Sequence, residues 1–298
     1  MQLDVLGWEQ TVEDAVGAAR RAADADVSRY WLPRLAGIDP LIALAVVAAR
    51  VPAIGLGVGV VPIQTMHPMV VAQQALTISQ VSGGRFTLGV GLSHRPIVEG
   101  AWGLPFDPPL TRMSEYLDAL VPLLEHRGVS VTGQTVSAHG ALDVAASPVE
   151  VVVAALGPQM LRLAGRRAAG TITWMVGPRT LEAFTIPEVR RAAEEAGRGR
   201  PEVIAGFPVC VTDDAPRALE RAAARYGFYG SLPSYRAMLD REGAAGPADV
   251  AIVGSRAAVA DRLLTLESIG VTRVAVSPFG SRPEREEAWG MLAELTSS

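Results

Sequence analysis

The chain has 298 residues, 49% of them hydrophobic, and a formal net charge of −4. That length and apolar content suffice for one α/β barrel with a sizeable buried sheet. The acidic balance gives no footing for nucleic acid or an anionic membrane surface, and the single cysteine, Cys210, excludes a disulfide framework and a cysteine-rich metal site.

All 27 basic residues are arginine, so a bound anion must rest on arginine or on backbone N–H groups. The opening MQLDVLGWEQ has neither a basic segment nor a long apolar one, and every apolar run is interrupted short of transmembrane length. The expectation is a soluble, cytoplasmic protein.

In chain order, residues 3–6 read as a first strand that ends at Gly7-Trp8. Thr11 caps the helix behind it, with Val12, Ala15, Val16, Ala19, Ala22 and Ala23 on one face. A second strand over 28–32 exits at Pro33-Arg34, and Pro40 opens a helix to 49. A third strand over 54–61 leads through a turn ending His67-Pro68 into a helix over 68–80. Ser82-Gly83-Gly84-Arg85 then turns into a fourth strand over 86–91. Residues 102–109 form a proline-rich loop, and Met113, Tyr116, Leu117, Leu120, Val121 and Leu124 make a helical stripe with Pro122 as a kink.

Between 129 and 144 the period drops to two, with glycines, as in a small inserted hairpin. Strands follow over 151–155, 171–175, 203–211 and 271–276. The helices among them run over 159–168, 179–196 (broken near Pro187), 215–226 and 257–268, and 284–295 closes the chain. Residues 227–247 are a second insertion, helical over 233–242. Eight strands, each followed by helix and with no charged linker between them, describe a (β/α)8 barrel over residues 1–298. An open doubly wound sheet would carry G-x-G-x-x-G after its first strand, where this chain has Gly-Trp-Glu.

A barrel works at the C-terminal ends of its strands. Those ends hold three of the five tryptophans, Trp8, Trp31 and Trp174, with glycines beside them, which suits a pocket for a flat, apolar ring system. Leu156-Gly157-Pro158-Gln159 turns from a strand into a helix and presents free N–H groups and a partial positive charge to an anion. Val253-Gly254-Ser255 and Pro278-Phe279-Gly280, late in the barrel, are open as alternative phosphate sites. His94 directly follows the fourth strand, placed either as an acid, base or donor to a cofactor ring or as a polar rim residue. His67 reads as a turn residue, His126 and His139 as surface. With no metal-ligand spacing and no G-x-S-x-G elbow, metal-dependent hydrolysis and nucleophilic acyl transfer lose support.

Gly57-Val58-Gly59-Val60-Val61-Pro62 through His67-Pro68, then Ala72-Gln73-Gln74-Ala75, Ser82-Gly83-Gly84-Arg85-Phe86 and Leu88-Gly89-Val90-Gly91-Leu92, resemble the bacterial luciferase-like monooxygenase superfamily. Ala154-Ala155-Leu156-Gly157-Pro158-Gln159-Met160, Ala164-Gly165, Ala169-Gly170-Thr171-Ile172, Val211-Thr212-Asp213-Asp214 and Leu232-Pro233-Ser234-Tyr235-Arg236 resemble its branch that uses the deazaflavin coenzyme F420. The resemblance implies a TIM barrel with insertions that binds coenzyme F420, or alternatively FMN, at the strand C-termini. It implies a non-proline cis peptide at Gly59-Val60, with Val61 beside it, pressed against the ring. Leu92, Ser93 and His94 would lie near that ring, and Leu156, Gly157, Pro158 and Gln159 would hold the phosphate. The implied activity is hydride transfer between the deazaflavin and a small organic substrate at a C=C, C=N or carbonyl group. On that reading His94 would be the proton donor, Trp8, Trp31 and Trp174 would line the substrate pocket, and Arg34 would bind an anionic group of the substrate or the cofactor's acidic tail.

An FMN-dependent monooxygenase and a non-catalytic flavin-binding protein are the other two readings, and a homodimer is expected by analogy alone. Two positions depart from the pattern. Pro33-Arg34-Leu35 stands where some family dehydrogenases carry Asp-His, and Ala169 replaces an acidic residue before Gly170.

Overall fold

A computed structural model describes residues 2–33 and 37–297. Eight parallel strands close a barrel in the order β1 (Gln2–Leu6), β2 (Arg29–Leu32), β3 (Gly55–Pro62), β4 (Phe86–Gly91), β7 (Glu150–Ala154), β8 (Gly170–Trp174), β9 (Glu202–Val211) and β11 (Arg273–Pro278), the last pairing back onto β1. β5 (Val129–Thr132) and β6 (Ser137–Gly140) form the expected antiparallel hairpin. The strand the sequence did not reveal is β10 (Ile252–Gly254), three residues that extend β9 at Val209–Val211. Too short to show a period, it sits inside what read as a loop.

Helices α1 (Val12–Asp24), α2 (Pro40–Arg50), α3 (Pro68–Ser82), α4 (Pro109–Leu124), α5 (Pro158–Arg167), α6 (Pro178–Thr180), α7 (Ile186–Glu195), α8 (Ala215–Gly230), α9 (Pro233–Glu242), α10 (Arg256–Ser268) and α11 (Arg282–Thr296) surround the sheet. Their starts are chemically explicit. Thr11 accepts from the Asp14 N–H, and Asp39 accepts from Leu41 and Ile42. His67 Nδ1 accepts from Met69, which gives that histidine the turn role read for it. Gly83 and Gly84 end α3 at φ +65° and +86°, with the Gly84 N–H returning to Ser79, a left-handed stop that only glycine adopts at low cost. The interruption expected at Pro187 falls earlier, as a π-helical turn over Leu181–Thr185; Pro187 itself occupies the first turn of α7, where no N–H is needed.

Side chains alternate across each strand. Val5, Tyr30 and Leu56 face the helices in the main apolar core. Leu6, Trp31, Val152, Ile172, Ile204 and Ala275 fill the barrel interior. Below them, toward the strand N-termini, lie Asp4, Arg29, Glu202 and Arg273. Arg273 donates to Asp4 at 3.2 Å and to Glu202 at 2.9 Å, and the Trp31 indole donates to Asp4 at 2.8 Å. Trp31 is wholly buried, and a Cβ at Gly57 would fall 2.3 Å from its ring, so the bare backbone of β3 makes its space. Among the described residues no helix is long and apolar enough to cross a membrane.

Candidate active site

At the C-terminal ends of the strands a cavity of about 280 Å³ opens to solvent. Its base is an irregularity in β3. Pairing with β4 is regular to Val58 and resumes at Val61, and the intervening Gly59-Val60 peptide is cis, as the resemblance implied. Val60 leans over β4. A Cβ at Gly91 would lie 2.7 Å from Val60 Cγ2, and one at Gly89 would lie 2.9 Å from Val60 Cγ1 and 2.2 Å from the Val58 carbonyl. The β4 glycines thus make room for Val60 first, and for a ligand only through it.

Trp8 and Trp174 form one wall, ring centroids 5.8 Å apart. The Trp8 indole is fixed by donating to Ser277 Oγ at 2.8 Å. The Trp174 N–H is buried and faces the Tyr229 hydroxyl without closing a full hydrogen bond. Leu92, Ser93 and His94 form a second wall. Ser93 adopts φ +57°, a left-handed conformation uncommon for a residue with a side chain and a recurrent mark of functional turns. His94 follows it, and its carbonyl accepts from Ile97 and Val98 to start a π-helical turn over Pro96–Ala101. The His94 ring lies 5.7 Å from Tyr235 and 6.4 Å from Tyr229, and its burial lowers the pKa, so the imidazole is neutral at neutral pH. A neutral imidazole donates one hydrogen bond and accepts one; it is no stronger an acid than that.

The helix starts around the mouth separate the candidate phosphate sites. α1, α2, α3 and α8 begin on Thr11, Asp39, His67 and Asp214. Glu242 takes the N–H groups of Arg179 and Thr180 at α6, and Glu284 that of Ser281 at α11. Ser255 caps α10, so the chemistry at 253–255 and 278–280 is satisfied internally. α4 starts on two prolines, which carry no N–H. Among the described residues, α5 alone of the helices that follow barrel strands has N–H groups and no cap. Gly157 supplies no side chain, and a Cβ there would meet nothing within 4 Å. Since Leu161 bonds the Gly157 carbonyl, the groups left at the rim are the N–H of Gln159 and Met160.

Of the residues singled out from sequence, Trp8, Gly59, Val60, Leu92, Ser93, His94, Leu156, Gly157 and Trp174 line this one cavity. Pro158 and Gln159 stand exposed beside it. Val61 is fully buried behind the bulge. Trp31 is a correction: it packs beneath the floor with its polar atom bound to Asp4, out of a substrate's reach. Arg34 lies outside the described residues.

Sequence reasoning missed two groups. The α8–α9 insertion brings Tyr229, Ser234 and Tyr235 over the cavity, although three of the five tyrosines crowding into 226–235 was a usable signal. Glu9, half-buried, accepts from the Tyr30 hydroxyl at 2.5 Å, and burial raises its pKa. It lines a side cavity of about 240 Å³ that shares Trp8 and Pro33 with the main one. Only the pairing of β1 with β2 shows that these two residues meet.

The described residues thus form a TIM barrel with a bulged third strand and an aromatic mouth at the C-terminal ends of its strands. The chain matches the family described as luciferase-like monooxygenase over residues 3–273 and belongs to that family; it is an enzyme. An uncharacterized protein of Mycobacterium tuberculosis is 30% identical over 246 residues, 75% of this chain and 72% of the relative. The 5,10-methylenetetrahydromethanopterin reductase of Methanopyrus kandleri is 28% identical over 289 residues, 81% of each chain. The solved coenzyme F420-dependent tetrahydromethanopterin reductase from that organism superposes with a TM-score of 0.82 at 22% identity, covering 98% of this chain and 97% of its own. A type II Baeyer-Villiger monooxygenase of Pseudomonas putida, solved with FMN, superposes at 0.78 and 17% identity over 99% and 96%.

Proposed function

We propose that this enzyme is an oxidoreductase that moves a hydride between coenzyme F420 and a small organic molecule carrying a C=C, C=N or carbonyl group. The observation that carries the reading is the uncapped start of α5 at the rim of a cavity whose floor is the Gly59-Val60 bulge. A phosphate at Gln159 and Met160 satisfies those N–H groups and the helix dipole together, and the missing Cβ of Gly157 leaves it space. The cavity residues fit the cofactor: Val60 supports a flat ring from below, and the Trp8–Trp174 wall supports it from the side. The deazaflavin, when bound, supplies the hydride chemistry. The protein orients the two reactants, excludes water with Trp174, Tyr229 and Tyr235, and offers the His94 N–H toward the reacting group.

The second reading is an FMN-dependent monooxygenase, favoured by the family description and by the FMN-bound neighbour. Fluorescence titration separates the two. Addition of coenzyme F420 and of FMN to separate samples should quench the deazaflavin with micromolar or tighter affinity and leave FMN much weaker. Tight binding of FMN alone would overturn the reading.

A further inference from the structure

The inference rests on the reading above and deepens it by naming the substrate class. A second helix starts open at the main cavity. α9 has the apolar Leu232 at its cap position, followed by Pro233, which carries no N–H. Arg236 bonds back to the Leu232 carbonyl, so the N–H groups left at this start are those of Ser234 and Tyr235. Both residues line the cavity, Ser234 at its exposed lip and Tyr235 within it.

An independent observation marks the same place. Tyr235 is only 7% exposed, yet its hydroxyl has no hydrogen-bond partner among the described residues and the side chain lines the cavity. A helical side chain leans toward the helix N-terminus, so a phenol at the third position hangs over the open turn. Burial raises its pKa, which keeps it a neutral donor. Arg236, the cation of this turn, is directed the other way and donates to Asp240 and to the carbonyls of Ala244 and Ala245. The helix is also held in place. At its far end the Glu242 carboxylate accepts from the N–H groups of Arg179 and Thr180 at 3.2 and 2.8 Å and from the Thr180 hydroxyl at 2.7 Å, which ties α9 to the exit of β8.

Two N–H groups and two hydroxyls at the positive end of a helix dipole make an oxyanion subsite. The two oxygens of a carboxylate offer about four acceptor positions, one for each of these donors. The cofactor phosphate has its own open start at α5, and the Val60 and Trp8–Trp174 seat belongs to the cofactor ring. The α9 start is left for the other reactant. We infer that the substrate carries a carboxylate, received by the N–H groups and hydroxyls of Ser234 and Tyr235.

Calorimetric titration with benzoate and with benzamide, two flat probes of one shape that differ in charge, tests this. Each is titrated into cofactor-free protein and into protein saturated with coenzyme F420. Benzoate should bind at least about tenfold tighter than benzamide in both. Ser234→Asp places a fixed negative charge in the turn at an exposed position where an acidic residue favours the helix. It should weaken benzoate at least about tenfold and leave coenzyme F420 unchanged, while Ser234→Asn, a neutral side chain of the same shape, should keep the preference for benzoate. Tyr235→Phe should weaken benzoate about five- to tenfold, the loss of one hydrogen bond. Benzoate that binds no tighter than benzamide, that fails to bind, or that ignores Ser234→Asp overturns the subsite. If coenzyme F420 excludes benzoate and Ser234→Asp weakens coenzyme F420 as well, the α9 start holds the cofactor phosphate and the assignment to the substrate is overturned. Failure of coenzyme F420 to bind the wild-type protein would instead sink the functional reading, with the probe ranking in the cofactor-free protein still deciding the subsite.

Discussion

The two ends of the barrel interior treat polar groups in opposite ways. At the strand N-termini, Asp4, Arg29, Glu202 and Arg273 face one another: Arg273 bonds Asp4 and Glu202, Trp31 bonds Asp4, and Arg29 Nη1 stands 3.7 Å from Glu202 Oε2 as an ion pair without a hydrogen bond. At the C-termini, His94, Ser93, Ser234, Tyr235 and the first turn of α5 are left with capacity to spare. The lower end holds four charges that sum to zero; the upper cavity has none among the described residues. The contrast says where the molecule keeps its stability and where it keeps its reactivity. Charges paired with one another resist change, and groups left open at the mouth wait for a ligand.

The sharpest way to break that comparison is to open the closed end. Arg273→Met removes a guanidinium that bonds two carboxylates and leaves Asp4 and Glu202 with Arg29 alone. Leaving buried charge uncompensated costs roughly 3–5 kcal/mol. At about 2–4 °C per kcal/mol for a chain of this size or somewhat smaller, the thermal midpoint should fall on the order of 10 °C. Coenzyme F420 affinity of the folded protein should stay within about twofold of wild type. A midpoint shift under about 2 °C would show that the network contributes little.

The ends should also answer pH with opposite signs. Burial pushes Asp4 up to about 6, against the pull of Arg273 and Arg29. Its folded pKa lies above its ordinary 3.8, so the folded state holds the proton more tightly, and its contribution to stability is lost as pH rises through about 6. Burial lowers His94 from 6.5, so the unfolded chain takes the proton more readily, and that contribution is lost as pH falls below about 6.5. Urea unfolding of wild type, Asp4→Asn and His94→Gln between pH 4 and 8 reads both. Asp4→Asn should lose the decline from pH 4 to 6 on the rising side, and His94→Gln should soften the loss below about 6.5. Slopes that change in the same direction in both variants would mean the two groups are not governed by burial.

A milder intervention closes part of the open end. Gly157→Asp places a carboxylate at the start of α5, where it caps Gln159 and Met160 itself and repels a phosphate. Coenzyme F420 affinity should fall about 100-fold, or roughly 2.7 kcal/mol. The same change should raise stability by a few tenths of a kcal/mol, because aspartate is a better cap than glycine. Unchanged affinity would move the phosphate elsewhere on the rim.

How much of this was legible in the sequence differs between the two ends. Strand and helix order followed from periodicity, and every barrel strand was placed within a few residues. The upper rim was legible because glycine, proline and tryptophan punctuate the strand exits, and Gly157-Pro158 announces a helix start. What sequence could not show is where a ring points. Trp8, Trp31 and Trp174 all end barrel strands, yet pairing register turns Trp31 down onto Asp4 and the other two toward the mouth. Nor could it show that Glu284 and Ser255 fill the rival phosphate sites, since that depends on which side chain folds back onto which N–H. The lower network was invisible for the same reason. Asp4, Arg29, Glu202 and Arg273 lie far apart in the chain and meet only through the parallel register.

The glycines of the upper end allow the finest test. At Gly157 an added methyl group would meet nothing, whereas at Gly91 it would lie 2.7 Å from Val60 Cγ2 and 3.2 Å from Ala154 Cβ. Ala154 is held on β7, so Val60 is the side chain that has to give way, and the free volume it can take is the cavity. Gly91→Val should therefore cost about 1–3 kcal/mol as overpacking, a midpoint shift of a few degrees. Coenzyme F420 affinity should drop in the same variant because the ring loses its seat. Gly157→Ala should do neither, leaving the cap position empty of polar atoms and the cavity unchanged. If Gly91→Val lowered stability but left affinity intact, Val60 would be a packing residue of the β3–β4 seam, and the floor beneath the ring would have to be sought at Ile172 and Ala275, which line the same cavity from the barrel interior.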